Sequence, residues 1–387
     1  MQVRRVEKHI INKQNKFYQM LREKCHIAKN IYNHGNYLIR QEFIKNHKYL
    51  RYGEVEQLMK TNIQYPDYWD LGLANSSQQI LRTLDKNWKS FFKSNKDYKV
   101  NPAKYNGRPK LPKYLKKDGF KEFALTSTQI WIHKDNLIYF PKSISVNNER
   151  FTIKPRFIKL SNFVKFNQCR IIPRHDRIVV ELVYTIEIED VNNMFKDNIA
   201  SIDLGVDNFA AIVTNTFVKP IIINGKGLKS CNQYFNKQLS KIQSSLMENN
   251  NQYTSHKYYV LLNKREDKIE NFMYKASNFV INFCLKHKIG TLIVGKNDSW
   301  KQFCNLGKVN NQHFYYIPYN TFINKLRYKC EEVGIKLILV NESYTSGTSF
   351  LDNEQSNKKN YDITRRIHRG LFKSNTGKLI NADVNAA

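Results

Sequence analysis

The stretch Ile199-Ala-Ser-Ile-Asp203-Leu-Gly205-Val-Asp207 decides the fold of the second half of the chain. Five residues of mostly apolar character predict a short buried strand, and the strand ends on the carboxylate of Asp203. Because Gly205 follows closely, the Asp203 side chain can project toward an open edge of a sheet. The same pattern also fits a turn aspartate that caps backbone groups, so these residues alone leave both interpretations open.

The residues that follow alternate between strand and helix patterns. Two further strands, a long basic amphipathic helix, a strand, a helix and a last strand are predicted in that order. Their ranges are Phe209–Thr214, Lys219–Asn224, Tyr253–His287, Thr291–Gly295, Tyr319–Val333 and Lys336–Glu342. This order predicts an RNase H-like α/β layer, with ligand chemistry at the ends of the strands.

The first half of the chain has a different pattern. One strand is predicted at its start, followed by two helices, a proline- and lysine-rich connector, and short strands of period two that predict a small antiparallel barrel. The ranges are Gln2–Ile11, Asn15–Lys48, Asn75–Phe92 with Asn75-Ser76-Ser77 as caps, Tyr98–Lys117 and Lys121–Ile188. The chain is therefore expected to contain several domains of α+β and α/β type.

The charge of the protein points to a polyanionic partner. The 387 residues contain 63 Lys and Arg against 33 Asp and Glu, which gives a net charge of +30. Nucleic acid and a membrane surface both satisfy this charge, but no stretch has the length and apolarity of a membrane-spanning helix or a signal core. The six cysteines form no CxxC pair, so we expect reduced thiols, no zinc ribbon and a cytoplasmic protein.

A second acidic signal lies near the end of the sequence, in Asn381-Ala-Asp383-Val-Asn385. This segment is also a good helix start, so it is weak evidence when taken alone. Hydrolysis of a phosphodiester by two metal ions requires three or four converging carboxylates. Asp203 and Asp383 on one α/β layer therefore suggest such a site but do not complete it.

The sequence resembles the TnpB proteins, the OrfB products of small insertion sequences. Ser201-Ile-Asp203-Leu-Gly205-Val-Asp207-Asn208 is similar to their first RuvC motif. The third motif and its approach are similar to Arg366-Ile-His-Arg369-Gly370 and Asn381-Ala-Asp383. Three further segments resemble the family's Thr-Ser segment, its helical-domain signature and its basic connector: Glu342-Ser-Tyr-Thr345-Ser346, Leu81–Phe92 and Gly107–Lys113.

The resemblance implies an RNA-guided DNA endonuclease with a RuvC site that uses Mg²⁺ or Mn²⁺. It also implies a monomeric ribonucleoprotein, bacterial and nucleoid-associated when on DNA, which holds a guide RNA from the transposon end and admits a double-stranded DNA target. The expected domains are a wedge barrel, a helical recognition lobe with its connector, and an RNase H-like RuvC domain with a lid. Their ranges are 1–12 and 118–195 for the wedge, 13–117 for the lobe, 196–387 for RuvC and 344–372 for the lid.

One departure from the family concerns its second motif, where a glutamate usually ends the strand. This chain has Gly295-Lys-Asn instead, as does one branch of TnpB-like proteins. Glu342, at the end of the next strand of the layer, is the candidate replacement, because strands lie about 4.8 Å apart and a glutamate can reach across. The alternative is an ordinary strand-end carboxylate that caps Tyr344-Thr345. Asp298 is a weaker substitute because a loop residue has no fixed direction.

The expected catalytic and metal-binding set is therefore Asp203, Glu342 and Asp383, with no zinc. Two groups of basic residues are candidate nucleic-acid contacts, although each group also fits a solvated basic face. They are Lys264, Arg265 and Lys268 on the long helix, and Arg365, Arg366 and Arg369 in the lid as phosphate clamps.

Two alternatives to the nuclease remain. Gly295 and the four residues that follow Asp383, too few for a stable helix, favour a nuclease-dead RNA-guided repressor or a fragment. A strand-transferring transposase would need a tyrosine nucleophile with an HxH-type metal pair, or its own carboxylate triad. No such histidine pair stands beside any of the 23 tyrosines, which counts against this alternative.

Overall fold

The structure is a computed structural model that describes residues 1–188, 195–250, 253–296 and 315–387. The chain forms two compact units, residues 1–188 and 189–387. The mixed α and β content predicted from the sequence is confirmed. Each unit has its own hydrophobic core.

Four helices form one side of the first unit. They are α1 (Tyr18–Asn46), α2 (Tyr52–Thr61), α3 (Asp67–Asp70) and α4 (Ala74–Val100). The two long helices agree with the periodicity, whereas the two short ones were not predicted. The predicted caps are wrong, because Leu73 is the residue before α4, and the buried hydroxyls of Ser76 and Ser77 bond the backbone carbonyls of Ala124 and Tyr68 instead.

A hydrogen-bond relay attaches the basic connector to these helices. The buried indole of Trp88 in α4 donates to the side-chain Oδ1 atom of Asn36 in α1 at 3.0 Å. The Asn36 amide then donates to the backbone carbonyl of Pro112 in the connector at 3.1 Å. Because both side chains are buried, each bond satisfies a polar group that would otherwise be costly in the core.

The sheet of the first unit is open, which corrects the predicted closed barrel. Its strand order is β1-β9-β8-β2, and in the described chain no pairing joins β2 to β1. The remaining strands form a separate three-stranded sheet, β3-β4-β7, and a two-stranded one, β5-β6. Closure fails because β2 has only four residues and pairs with one part of β8. The bounds are β1 Gln2–Ile11, β2 Phe123–Thr126, β3 Trp131–Ile132, β4 Ile138–Tyr139, β5 Ser145–Val146, β6 Glu149–Arg150, β7 Thr152–Ile153, β8 Phe163–Arg174 and β9 Arg177–Glu187.

The second unit is built on a five-stranded sheet of order β12-β11-β10-β13-β14. The strands are β10 (Ile199–Leu204), β11 (Asn208–Thr214), β12 (Ile221–Asn224), β13 (Thr291–Gly295) and β14 (Lys336–Val340). β10, β13 and β14 run parallel, and β11 and β12 are antiparallel to their neighbours. The sequence predicted this arrangement, with the Gly295 strand beside the Asp203 strand and the Lys336 strand one further out.

Helices cover this sheet with apolar side chains. α6 (His256–Lys286) and α7 (Tyr319–Glu332) contribute the buried residues Met273, Val280 and Phe322 to the core, together with Phe209 from β11. α5 (Lys226–Asn250) was missed by the sequence analysis. Its residues are mostly Asn, Gln, Ser and Lys, so its apolar stripe is too thin to show a clear period.

The last part of the unit contains a three-stranded antiparallel sheet of order β15-β16-β17 and the short helix α8. These elements are β15 (Arg366–His368), β16 (Leu371–Lys373), β17 (Leu379–Asn381) and α8 (Ala382–Ala386). The expected lid, residues 344–372, therefore contains regular strands at its end. Among the described residues, no helix has the length and apolar character needed to span a bilayer.

Candidate functional site

The predicted carboxylates lie at the carboxyl edge of the parallel strands. Ile202 pairs with Val294, so Asp203 and Gly295 follow side by side on β10 and β13. Gly295 pairs with Val340 on β14, and Glu342 comes two residues after Val340. The parallel register therefore carries Asp203 and Glu342 to the same edge, with Gly295 between them.

The Asp203 and Glu342 side chains meet at this edge. Their carboxyl groups are hydrogen-bonded to each other, and both accept a hydrogen bond from the backbone N–H of Leu204. Two carboxyl groups in such contact share a proton when no cation is bound. The geometry is therefore that of a coupled acidic pair rather than of a carboxylate that only caps a turn.

Gly295 makes this contact possible because it has no side chain. A Cβ atom at position 295 would lie 1.7 Å from Oε1 of Glu342 and 2.2 Å from its Cγ and Cδ atoms. The Glu342 side chain thus occupies the space that any other residue at position 295 would fill. The two departures from the family pattern, a glycine on one strand and a glutamate after the next, are sterically linked.

Burial and mutual charge raise the pKa values of both carboxyl groups. The pKa of Glu342 is raised to about 8, chiefly by burial and then by the charge of Asp203 and the hydrogen bond with it. The pKa of Asp203 is raised to about 6 by burial and by the charge of Asp383, against an opposing effect of Arg366. A bound cation would relieve this charge repulsion, which is the electrostatic character expected of a metal site.

Asp383 lies close enough for its charge to raise the pKa of Asp203. Its Oδ2 atom accepts a hydrogen bond of 2.7 Å from the Asn208 amide, and its Oδ1 atom lies 3.7 Å from an Arg366 guanidinium nitrogen. The Asn381 side chain caps α8 by accepting from the backbone N–H groups of Asp383 and Val384. All three predicted carboxylates therefore belong to one neighbourhood.

The carboxylates suit a hard divalent cation, since Mg²⁺ and Mn²⁺ prefer oxygen ligands. As the side chains stand, no three His, Cys, Asp or Glu residues within the described ranges are grouped closely enough to hold one ion. The pair Asp203–Glu342 would be the nucleus of such a site, and Asp383 is engaged by Asn208 and Arg366 beside it. The weaker candidate, Asp298, lies outside the described residues.

Two residues near the carboxylates were not found from the sequence. Asn208 bonds Asp383 across 175 positions of sequence, and no local pattern carries such a contact. The buried Tyr319 hydroxyl donates to the backbone carbonyl of Gly205 at 2.9 Å. Its pKa is raised by burial and by the charges of Asp203 and Glu342, so it stays protonated and keeps its role as a donor.

The structure gives Arg365 a structural role instead of the predicted phosphate clamp. Its guanidinium binds both carboxylate oxygens of Glu354 at 2.8 and 2.9 Å and donates to the backbone carbonyls of Gly347 and Asn360. The side chain is only 12% exposed, and it lies over the Phe372 ring. This arginine therefore holds together segments of the lid.

The other two lid arginines differ from Arg365 in exposure. Arg366 is about three-quarters buried and faces Asp383. Arg369 has a side chain that is 68% exposed, and its guanidinium lies 3.7 Å from Asp207. Asp207 also accepts a hydrogen bond from the Lys229 ammonium group, which is the main reason that its pKa is lowered. Arg369 keeps the accessibility that a phosphate contact requires.

A cleft of about 500 Å³ lies between α5 and α6. Lys264 and Lys268 line it as exposed side chains, together with the ring of Tyr234 from α5. Arg265 is instead engaged within the protein, because it bonds the Asn232 side chain at 2.8 Å and the backbone carbonyl of Tyr316 at 3.2 Å. The cleft combines positive charge with an aromatic face.

Two family models match separate parts of the chain. Residues 178–301 match OrfB_IS605, described as a probable transposase. Residues 319–387 match the Cas12f1-like TNB domain. The two matches follow the order of the motifs, since the first includes Asp203 and Gly295 and the second includes Glu342 and Asp383.

One curated relative is similar to part of the chain. The CRISPR-associated endodeoxyribonuclease Cas12f1 of Sulfoacidibacillus thermotolerans is 29% identical over 126 residues, which are 31% of this chain. The matched region spans only 27% of the relative's own length.

Solved structures of similar proteins include a Cas12f1–sgRNA–target DNA complex and Alicyclobacillus acidoterrestris C2c1 with single-guide RNA. The first is 17% identical, with 99% of this chain and 98% of that chain covered, at a TM-score of 0.38. The second is 9% identical, with 96% and 69% covered, at a TM-score of 0.43. These TM-scores are too low to assign the fold of the whole chain.

The steric link between Gly295 and Glu342 predicts the effect of adding one methyl group. Gly295→Ala is expected to displace the Glu342 carboxyl from Asp203 and to weaken Mn²⁺ binding about as much as Glu342→Gln does, as measured by Mn²⁺ electron paramagnetic resonance. Gly227→Ala in α5 is the matched control, because a Cβ there meets nothing within 4 Å. Unchanged Mn²⁺ affinity in Gly295→Ala would contradict the steric argument.

The raised pKa values predict a pH-dependent stability of the metal-free protein. A carboxyl with a raised folded-state pKa stabilises the fold while it is protonated, and this contribution is lost as the pH rises. The window runs from 4.5 to about 8 for Glu342 and from 3.8 to about 6 for Asp203. The thermal unfolding midpoint should therefore fall across this range, and Glu342→Gln should reduce the fall.

Glu248→Gln, at an exposed position of α5, serves as the control for this pH series. Added Mn²⁺ should raise the midpoint of the wild-type protein most at the alkaline end, where both carboxyl groups are ionised. If Glu342→Gln and the wild type lose stability in parallel, the acidic pair does not cause the pH dependence.

The Arg365 contacts predict that Arg365→Lys loosens the lid, because a lysine cannot bind both Glu354 oxygens and two carbonyls at once. Hydrogen bonds to charged groups contribute about 1.5–3 kcal/mol each, so amide protection in residues 345–375 should fall by about tenfold or more. Hydrogen–deuterium exchange measures this effect, and Arg369→Lys is the control. Equal protection in the two variants would refute the structural role of Arg365.

Proposed function

Because the chain is a TnpB (OrfB) family protein, we propose that it is an RNA-guided DNA endonuclease that hydrolyses phosphodiester bonds at a metal-dependent RuvC site. In this proposal Asp203, Glu342 and Asp383 are the catalytic ligands. Glu342 takes the place of the glutamate that the family usually has at position 295. The two family-model matches support the family part of this proposal.

The observation that carries the proposal is the contact between Asp203 and Glu342 over Gly295. A buried pair of carboxyl groups with raised pKa values costs stability, so it is not explained as an element of packing. Its place at the carboxyl edge of a parallel sheet is where α/β layers hold their ligands. Asp383, whose charge acts on Asp203, would provide the third oxygen ligand that the chemistry needs.

The residues present fit a divalent cation, Mg²⁺ or Mn²⁺, by their hard oxygen donors and their surplus negative charge. When bound, such ions activate water and stabilise the leaving oxygen of a phosphodiester. The protein orients the ligands: the Leu204 N–H fixes the Asp203–Glu342 pair, and the Asn208 amide fixes Asp383. The buried Tyr319 hydroxyl donates to the backbone carbonyl of Gly205, two residues after Asp203.

The proposed partners are a guide RNA from the transposon end and a double-stranded DNA target, in a monomeric ribonucleoprotein. The net charge of +30 supports a polyanionic partner. The cleft between α5 and α6, lined by Lys264, Lys268 and an aromatic ring, suits phosphates and bases. Of the three lid arginines, Arg369 has the most exposed side chain, which suits a phosphate contact.

The proposed domain assignment follows the same reasoning. Residues 13–117 would be the recognition lobe and connector, 118–195 with the first strand the wedge, and 196–387 the RuvC domain with the lid at 344–372. The open sheet of the first unit would replace the closed wedge barrel in this assignment.

A second candidate function is a nuclease-dead, RNA-guided DNA-binding protein that acts as a repressor. Gly295 favours it, because the second-motif strand itself provides no ligand. So does the spacing of the acidic groups, since no three of them stand within reach of one ion in the described ranges. The two candidates share the RNA and DNA partners and differ only in cleavage.

The deciding experiment is a DNA cleavage assay with purified ribonucleoprotein and Mg²⁺. Asp203→Ala and Glu342→Gln should each abolish cleavage and leave guide-RNA binding intact, because the carboxylates act on the metal and not on the RNA. Asp298→Asn should cleave like the wild type. Cleavage that survives Asp203→Ala, or loss with Asp298→Asn in place of Glu342→Gln, would move the site, and a wild type that binds target without cutting it supports the repressor.

A further inference from the structure

Asp383 lies in the five-residue helix α8, which is too short to be stable by its own hydrogen bonds. Its position must therefore be set by contacts from outside the helix. The Asn381 cap orders the first turn, and the backbone N–H of Ala382 donates to the Gly370 carbonyl at 3.1 Å. These contacts hold the start of α8, and the Asn208 amide holds the Asp383 side chain.

Asn385 supplies the second point of attachment. Its side chain is buried, at 7% exposure, and its amide nitrogen donates to the Thr348 carbonyl at 2.7 Å. Its amide oxygen accepts from the backbone N–H of Phe350 at 3.0 Å. One side chain thus uses a donor and an acceptor together to bind two alternate residues of the lid, as a neighbouring strand would bind them.

Asn385 binds the lid at Thr348 and Phe350, and the segment that leads to these residues begins at Glu342. Thr345 bonds the Glu342 carbonyl with both its N–H, at 3.3 Å, and its hydroxyl, at 3.0 Å. The Thr348 hydroxyl then donates to the Tyr344 carbonyl at 2.8 Å. The eight residues from Glu342 to Ser349 are therefore an internally bonded segment that leads from one proposed ligand to the backbone bound by Asn385, which lies two residues after Asp383.

The far end of this segment is also fixed. Glu354 accepts from the backbone N–H of Ser349 at 2.8 Å while its carboxylate is held by Arg365. Arg365 also binds the Gly347 carbonyl at 2.9 Å. The backbone that faces Asn385 thus cannot shift without breaking charged hydrogen bonds.

We propose that Asn385 is a positioning residue that fixes Asp383 relative to Glu342, by tying α8 to the segment that begins at Glu342. This inference rests on the proposed function, because Glu342 and Asp383 are metal ligands only in that proposal. Glu342 follows β14 of the five-stranded sheet, whereas Asp383 lies in α8. The side chain of Asn385 links α8 to the segment that begins at Glu342 through two hydrogen bonds.

An aspartate at position 385 tests this link with little change of shape. Asp has the size of Asn but, when ionised, has only acceptors, so it would face the Thr348 carbonyl with a second oxygen. By charge alone, a new carboxylate two residues from Asp383 strengthens the binding of a divalent cation. A loss of affinity in Asn385→Asp would therefore report lost positioning and not the added charge.

The experiment measures Mn²⁺ binding to the purified full chain by electron paramagnetic resonance, and cleavage by the ribonucleoprotein as a function of Mn²⁺ concentration. Asn385→Asp is expected to weaken Mn²⁺ binding by about 10- to 100-fold, the usual effect of losing a residue that orients a ligand. Cleavage should return toward the wild-type rate at high Mn²⁺. Asp383→Asn should not be rescued, since it lacks the ligand itself.

Asn360→Asp is the matched control. Its amide also donates to a lid carbonyl, that of Gln355 at 3.0 Å, and this bond stays within the lid and does not involve α8. It should bind Mn²⁺ and cleave like the wild type. If Asn385→Asp fails to fold, as judged by circular dichroism, Phe350→Pro is the second variant, because it removes the N–H that donates to Asn385 at a residue that is 70% exposed.

The outcomes separate the inference from the proposed function. Wild-type Mn²⁺ affinity and metal dependence in Asn385→Asp, or in Phe350→Pro if it is needed, overturn the positioning role while loss of cleavage in Asp203→Ala upholds the nuclease. An equal loss in Asn360→Asp also overturns it, because lid contacts in general would then suffice. If Asp203→Ala neither weakens Mn²⁺ binding nor stops cleavage, the proposed function itself fails.

Discussion

The missing side chain at Gly295 is the constraint on which the candidate site depends. A Cβ there would overlap the Glu342 carboxyl, so the contact of Glu342 with Asp203 requires a glycine on the strand between them. The parallel register of β10, β13 and β14 brings the three positions to one edge. The site therefore depends on the strand order of the sheet. Gly295 at the end of β13 leaves the space, and Glu342, which follows β14, provides the carboxylate.

The ionised forms of Asp203 and Glu342 are destabilised by burial and by the charges of neighbouring carboxylates. Burial and repulsion raise the pKa values of Glu342 and Asp203, to about 8 and about 6. The Leu204 N–H donates to the pair, and the Asn208 amide and the Arg366 guanidinium contact the neighbouring Asp383. Such an environment stabilises negative charge incompletely, and it is suited to a divalent cation that completes the neutralisation.

Much of this could be predicted from the sequence, and the limits have physical reasons. The strand order and the place of Asp203, Gly295 and Glu342 follow from local periodicity together with the rules of parallel sheets. Closure of the first sheet could not be predicted, because it depends on how far β2 extends along β8. Helix α5 was not predicted because its polar composition leaves no clear hydrophobic periodicity.

Asn208, Tyr319 and Asn385 act through contacts between distant segments, which no single stretch encodes. The burial of Arg365 could not be predicted for a related reason, since it depends on the pairing of its guanidinium with Glu354.

The central claim is that Glu342, in the space left by Gly295, joins Asp203 in holding a divalent cation. Anomalous X-ray scattering from crystals of the protein grown with Mn²⁺ tests it most directly. The account predicts an anomalous peak coordinated by the Asp203 and Glu342 carboxylates at the carboxyl edge of the five-stranded sheet. Mn²⁺ bound elsewhere, with Glu342 turned away from Asp203, would contradict it.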